Sequence, residues 1–155
     1  MTDDTPSGTQ VLIVAIRSGA CALSLADVIE TMRPQPIEPI ACALSFVRGI
    51  SIIRGVPTPV IDLGVLLGAS NGDAGRFVSL RLGDRQVALS VISVMGVREL
   101  DALTIRKLPP LLEGASEDNI KAIGTLDKQL LIVLREGLHL PDAVWQAVAA
   151  REVTE

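Results

Sequence analysis

Three side chains in this chain could supply a nucleophile and its base: Cys21, Cys42 and the single histidine, His139. A thiol-dependent hydrolase would pair one cysteine with that histidine, because the thiolate is the attacking form and needs a base within reach. Nothing in the spacing joins them. The cysteines do not form a Cys-X-X-Cys pair, and His139 stands just before Pro141 with no second ligand or nucleophile beside it. The plainer reading is two buried thiols and an incidental histidine. Glu117-Asp118 reads as a solvated loop pair rather than a catalytic dyad. No catalytic residue, metal site or cofactor is expected.

One arginine suits recognition better than chemistry. Arg54-Gly55 separates the apolar, β-branched runs Ile50–Ile53 and Val60-Ile61, the composition of a tight hairpin turn. A planar guanidinium at that tip could hold a carboxylate or carbonyl of a partner; otherwise it is a solvated charge on a hairpin. Gly55 supplies the positive φ the turn requires. Asp62 follows the second run and reads as an N-cap for Leu63–Leu67.

The elements that would carry these groups follow from periodicity. Gln10–Ile16 and Ala20–Leu25 read as paired strands about an Arg17-Ser18-Gly19 turn. Leu25, Val28, Ile29 and Met32 fall at helical spacing, with Ser24 as cap and Asp27 in the first turn. That predicts a short helix after the second strand, with Glu30 on its polar side. Pro34, Pro36 and Pro39 end it. Ala69–Gly75 is a loop. Arg76–Leu82 and Gln86–Ser90 flank a Gly83-Asp84 turn, and Val91–Leu100 continues, with Gly96 marking a bend or bulge. Pro109-Pro110 sits in a long connection. Lys121–Leu126 and Gln129–Leu134 flank an Asp127-Lys128 turn. Pro141 opens a last helix that Trp145 anchors. The expectation is a mainly β chain of nine or ten short strands. Hairpins rather than β-α-β units disfavour a parallel sheet. Two small barrels side by side suit so many short strands.

Composition narrows the function classes. At 155 residues one domain or two subdomains sharing a core is expected: a disordered segment 1–9, a body 10–150 and a tail 151–155. Hydrophobic residues make up 48% and mean hydropathy is +0.45. That surplus means either two-sided burial of strands or apolar surface kept for partners. Net charge is −4, with no Tyr, two Phe and one Trp, so neither the cationic surface nor the stacking platform of a nucleic-acid binder is present. No apolar run is long enough to span a membrane, and the acidic, polar start is not a signal peptide. A cytoplasmic protein without membrane insertion is expected. A β-barrel binding a small apolar ligand is a further reading.

Four pieces, in order, resemble the CheW-like coupling proteins of bacterial chemotaxis. They are Val28-Ile29-Glu30; Phe46–Gly49, Ile53–Gly55 and Pro59–Leu63 together; Val87–Leu100, ending Gly96-Val97-Arg98-Glu99-Leu100; and Ile120–Leu126 with Leu130–Leu134. The resemblance runs from about Gln10 to Val148. It implies two intertwined five-stranded SH3-like barrels and no catalysis. It also implies an adaptor between a methyl-accepting chemoreceptor's cytoplasmic tip and the regulatory domain of a CheA-type histidine kinase, with self-association in receptor arrays. The receptor side would use Arg54, Gly55, Ile50, Ile52, Val91, Val94 and Val97, the apolar ones lining a groove between the barrels. The kinase side would use Glu30, Val28 and Arg48. The chain departs from the family's pattern at Ile52, where Asn is common, and at Cys21, where an aromatic is common. The first departure lies beside the receptor-contacting turn and fits a divergent paralogue in a non-flagellar pathway.

Overall fold

The computed structural model describes residues 10–69, 74–100, 104–106 and 119–154. Residues 1–9, Pro109-Pro110, Glu117-Asp118 and most of the 69–75 loop lie outside them. In chain order the first half holds β1 (Gln10–Ile16), β2 (Gly19–Ser24), a 3-10 turn (Leu25–Asp27), β3 (Val28–Met32), β4 (Val47–Ile53), β5 (Val56–Asp62) and α1 (Leu63–Leu66). The second holds β6 (Arg76–Leu82), β7 (Arg85–Val91), β8 (Ser93–Glu99), β9 (Thr104–Arg106), β10 (Ile120–Leu126), β11 (Gln129–Leu134) and α2 (Asp142–Thr154). The last helix runs through residues 151–154, so they are helix and not tail.

The helix expected over Leu25–Met32 is absent. Only Leu25–Asp27 turns, Ser24 makes no side-chain cap, and Val28–Met32 is a strand. The apolar spacing there fits two templates, and the β-branched Val28, Ile29 and Thr31 favour the extended one once β6 offers an edge to pair with.

The strands form two sheets, ordered β8-β1-β2-β11-β10-β9 and β3-β6-β7-β5-β4. Leaving aside the short β9, which makes the first sheet six-stranded, both follow one plan. Successive neighbours pair antiparallel, antiparallel, parallel, antiparallel. Neither sheet is a parallel sheet, as the hairpins implied, but each contains one parallel pair, β2 with β11 and β5 with β7. Hairpin counting sees only sequence neighbours. These pairs arise because the chain leaves the first sheet after β2, builds the second, and returns.

Burial shows how the sheets curl into two intertwined SH3-like barrels. Val11, Ile13, Ala20, Ala22, Leu131 and Val133 form a small core drawn from the first sheet alone. Ile53, Val60, Phe77 and Ala88 do the same in the second. The alternate residues, such as Leu12, Val14, Leu23, Val78, Leu80, Leu89 and Ile132, meet in one core shared by both sheets. Central strands are therefore buried on both faces, one towards their own barrel and one towards the other. That accounts for much of the high hydropathy.

Two prolines in β5 show how strand and helix fit. Pro57 and Pro59 stand opposite Ile52 and Ile50. Ile50 directs its N–H and C=O outward to Glu38, so these are pairs in which neither strand hydrogen-bonds the other. The missing proline N–H groups cost no ladder bond there. The β5–β7 pairing begins only at Val60, and Trp145 and Val148 of α2 flank the prolines ahead of it.

Candidate functional site

The β4–β5 hairpin turns on two residues of positive φ, Arg54 at 50° and Gly55 at 80°. This is the conformation whose twist matches paired strands. From this tip the Arg54 guanidinium reaches Glu30 on β3: Nε donates to one carboxylate oxygen at 2.6 Å and an Nη to the other at 2.8 Å. These hydrogen bonds hold the Glu30 carboxyl below its ordinary value, with partial burial opposing and the Arg54 charge adding to the effect. The sequence reading assigned Arg54 and Glu30 to different partners. The structure brings them into one bidentate pair.

A β-bulge explains why Glu30 points there. Val28 pairs with Leu80 and Glu30 with Ser79, so Ile29 is an extra residue in β3. The insertion turns Val28 towards the shared core, on which it packs. Glu30 and Met32 turn to the other face, and Ile29 is left exposed.

The equivalent strand of the other sheet repeats the device. Val94 pairs with Val14 and Gly96 with Ile13, making Met95 the extra residue of β8. Gly96, at a φ of 129°, takes the strain of the bulge. Val94 and Val97 would face opposite ways in a regular strand. Here they stand opposite Val14 and Leu12, both of the shared core, and so share a face. Val94 is half-buried, Val97 is 47% exposed and Met95 49% exposed. Because β8 is an edge strand, this apolar face adjoins an unpaired row of backbone groups.

The other expected contact residues separate. Val91 lies inside the shared core at 3% exposure. Ile50, also 3% exposed, sits under residues 36–38, while Ile52 on the same groove is 61% exposed. Val91, Val94, Val97, Ile50 and Ile52 therefore do not form a single line along one groove: the β4 pair and the β8 pair belong to different sheets. Arg48 is the extra residue of a bulge in β4. Its guanidinium donates to Asp62 Oδ2 at 3.1 Å, while Asp62 Oδ1 accepts the Val65 N–H at 3.1 Å. Asp62 thus caps α1 as its position after the strand suggested, and holds Arg48 as well.

The sulfur chemistry finds no setting. Cys21 is buried in the shared core and burial pushes its thiol up to about 12, which removes the thiolate a nucleophile needs. Cys42 is half-buried, and exposed His139 donates its backbone N–H to Asn119 Oδ1. Among the described residues no group of three or more His, Cys, Asp or Glu could hold a metal ion, and no helix is long and apolar enough to cross a membrane. The exposed bulge residues Ile29 and Met95 were not legible as such. A valine pair three apart around Gly96 was the one available signal.

Two mixed sheets of one plan, each presenting a bulged edge strand, define the class: the CheW-like domain model matches residues 10–139, and the chain belongs to that family. It is 27% identical over 130 residues to the chemotaxis protein CheW of Klebsiella aerogenes, covering 82% of this chain and 78% of the relative. Its fold matches the crystal structure of the scaffolding protein TtCheW from Thermoanaerobacter tengcongensis with a TM-score of 0.70 at 22% identity, over 83% of this chain and 89% of that one.

Proposed function

We propose that this chain is a non-catalytic adaptor. It couples the cytoplasmic tip of a methyl-accepting chemoreceptor to the regulatory domain of a CheA-type histidine kinase, within receptor arrays in the cytoplasm. The observation that carries the reading is the β8 edge, where the bulge at Met95 aligns Val94 and Val97 on one face of an unpaired strand. A receptor helix can lay an apolar stripe there. The kinase side is the β3 edge. Exposed Ile29 supplies the apolar contact, Glu30 and Val28 set the shape of the edge through the Arg54 pair and the shared core, and Arg48 of β4, held by Asp62, adds a charged contact. The raised thiol of buried Cys21 argues against that cysteine as a nucleophile.

Reversible assembly calls for contacts near the micromolar range, about −8 kcal/mol. The test titrates the folded chain against a receptor-tip fragment and the kinase regulatory domain from its own signalling cluster. Wild type should bind both. Val97→Asp should weaken receptor binding by about 30-fold, the effect of losing one anchor of about 2 kcal/mol, and leave kinase binding intact. Ile29→Asp should do the reverse. A folded wild type that binds neither partner overturns the reading.

A further inference from the structure

Each functional edge strand begins where the chain crosses from one barrel to the other. β3 follows the first crossing, at Leu25–Asp27, and β8 follows the second, at Ile92. The two crossings are held differently. The first is a 3-10 turn in which the Val28 N–H donates to the Leu25 carbonyl and the Asp27 carboxylate accepts the Gly137 N–H at 3.0 Å. The second is gripped through its backbone by both barrels. The Ile92 N–H donates to the Ala15 carbonyl of β1 at 2.9 Å, and the Val91 carbonyl accepts the N–H of Gly75, just ahead of β6, at 2.9 Å.

Gly75 closes this grip. Its backbone lies so near the Ile92 carbonyl that a Cβ at position 75 would overlap the oxygen. Gly75 is not at positive φ, so the position excludes a side chain and not a backbone conformation. Neither side of the contact yields freely. Gly75 cannot retreat without giving up Val91, and Phe77 two residues on is fully buried. The softer element is β8, an edge strand that pairs with β1 alone. Ser93 and Val94 stand opposite Ala15 and Val14, and the Met95 bulge follows at once. The direction in which the chain leaves Ile92 therefore sets where the Val94 and Val97 face stands.

We propose that Gly75 is a positioning residue for the receptor edge: its bare backbone against the Ile92 peptide fixes the place of β8. The proposal rests on the assignment of β8 to the receptor.

Backbone-amide NMR spectra and titrations of the full-length chain test it. In Gly75→Ala the amide signals of Ile92–Val97 should shift while those of Ile29–Met32 stay in place. Affinity for the receptor-tip fragment should fall about fivefold, and affinity for the kinase regulatory domain should stay within about twofold. Ile92→Gly reaches the same peptide without a clash. It should weaken receptor binding more than Ile92→Ala, which removes the same side chain and keeps the backbone stiff. Where Gly75→Ala fails to fold, this Ile92 pair decides. Wild-type binding that Val97→Asp weakens secures the edge assignment independently. Unchanged receptor affinity in folded Gly75→Ala, equal loss towards both partners, or equal affinities of Ile92→Gly and Ile92→Ala then overturns the proposal alone. A wild type that does not bind the receptor tip overturns the edge assignment, and the proposal with it.

Discussion

Arg54 and Glu30 are bound through two hydrogen bonds of 2.6 and 2.8 Å, yet their strands stand at opposite ends of the sheet order β3-β6-β7-β5-β4. Two edges can touch only if the sheet is rolled. The pair is therefore a clasp across the seam of the second barrel, joining the tip of one hairpin to the bulged strand that β6 carries at the other side. The pair engages the Nε and one Nη of a side chain that stays 77% exposed, and it fixes the position of β3 against the hairpin.

Removing the clasp should loosen both edges together. In Arg54→Ala, amide exchange should quicken in Glu30–Met32 as well as at the hairpin tip. Arg54→Lys should resemble Arg54→Ala more than wild type, because an ammonium cannot form the two-bonded fork. Hydrogen-exchange mass spectrometry checks this. Quickening confined to the hairpin would show that the seam is held by other contacts.

Acid should act through Glu30. Its folded value is lowered, so the clasp is fully formed above the ordinary glutamate value of 4.5 and is lost as pH falls through the lowered one. The melting temperature of wild type should therefore fall more steeply below about pH 4.5 than that of Glu30→Gln, the two curves converging in strong acid. Parallel curves would count against the clasp.

Asp62 serves two partners, and its substitutions should separate them. Asp62→Asn keeps the acceptor for Val65 but loses the ion pair with Arg48, and should cost about 1 kcal/mol or less. Asp62→Ala loses the cap too and should cost about 2 kcal/mol. Urea denaturation of both variants measures the difference. Equal costs would mean that the cap contributes nothing.

The two thiols should differ sharply. Under native conditions at pH 8, iodoacetamide should add once, at Cys42, and leave Cys21 unmodified, since burial holds its thiol near 12. Intact-mass analysis before and after denaturation reads this directly. Rapid alkylation of Cys21 in the folded chain would reopen the case for a thiol nucleophile.

Core and surface valines should part in the same manner. Val91→Ala, deep in the shared core, should destabilise by about 2 kcal/mol. Val97→Ala at the exposed β8 face should stay within about 0.5 kcal/mol. Thermal and urea unfolding of the pair provides the check.

These contrasts mark how much was legible beforehand. Turns were, because Arg54-Gly55 and Asp127-Lys128 combine polar or glycine residues with flanking β-branched runs, and both turn on positive φ. The Asp62 cap was legible for the same local reason. Segment Leu25–Met32 was not, because its apolar spacing fits a helix and a bulged strand alike and only pairing with β6 decides. Nor could Val91 be told from Val97. Both are valines in one apolar stretch. What separates them is that Val91 closes β7, central in the second sheet, while Val97 lies on β8, an edge of the first that is placed by its register with β1 far back in the chain. The Arg54–Glu30 pair was hidden for a like reason, since rolling a sheet is a long-range event.

The parallel pairing of β2 with β11, Ala22 beside Val133, bears on how the chain comes to be made. During synthesis the β1–β2 hairpin leaves the ribosome with a bare, apolar edge, and the strand that covers it is translated only after β3 to β10. The two barrels share a core but are completed at different times. The second can close while the first waits. Contacts this distant in sequence slow folding, and the waiting edge is open to pairing with other chains. A chain interrupted before β11 would carry that exposed strand permanently, so aggregation rather than a half-active fragment is the expected fate of a truncation there.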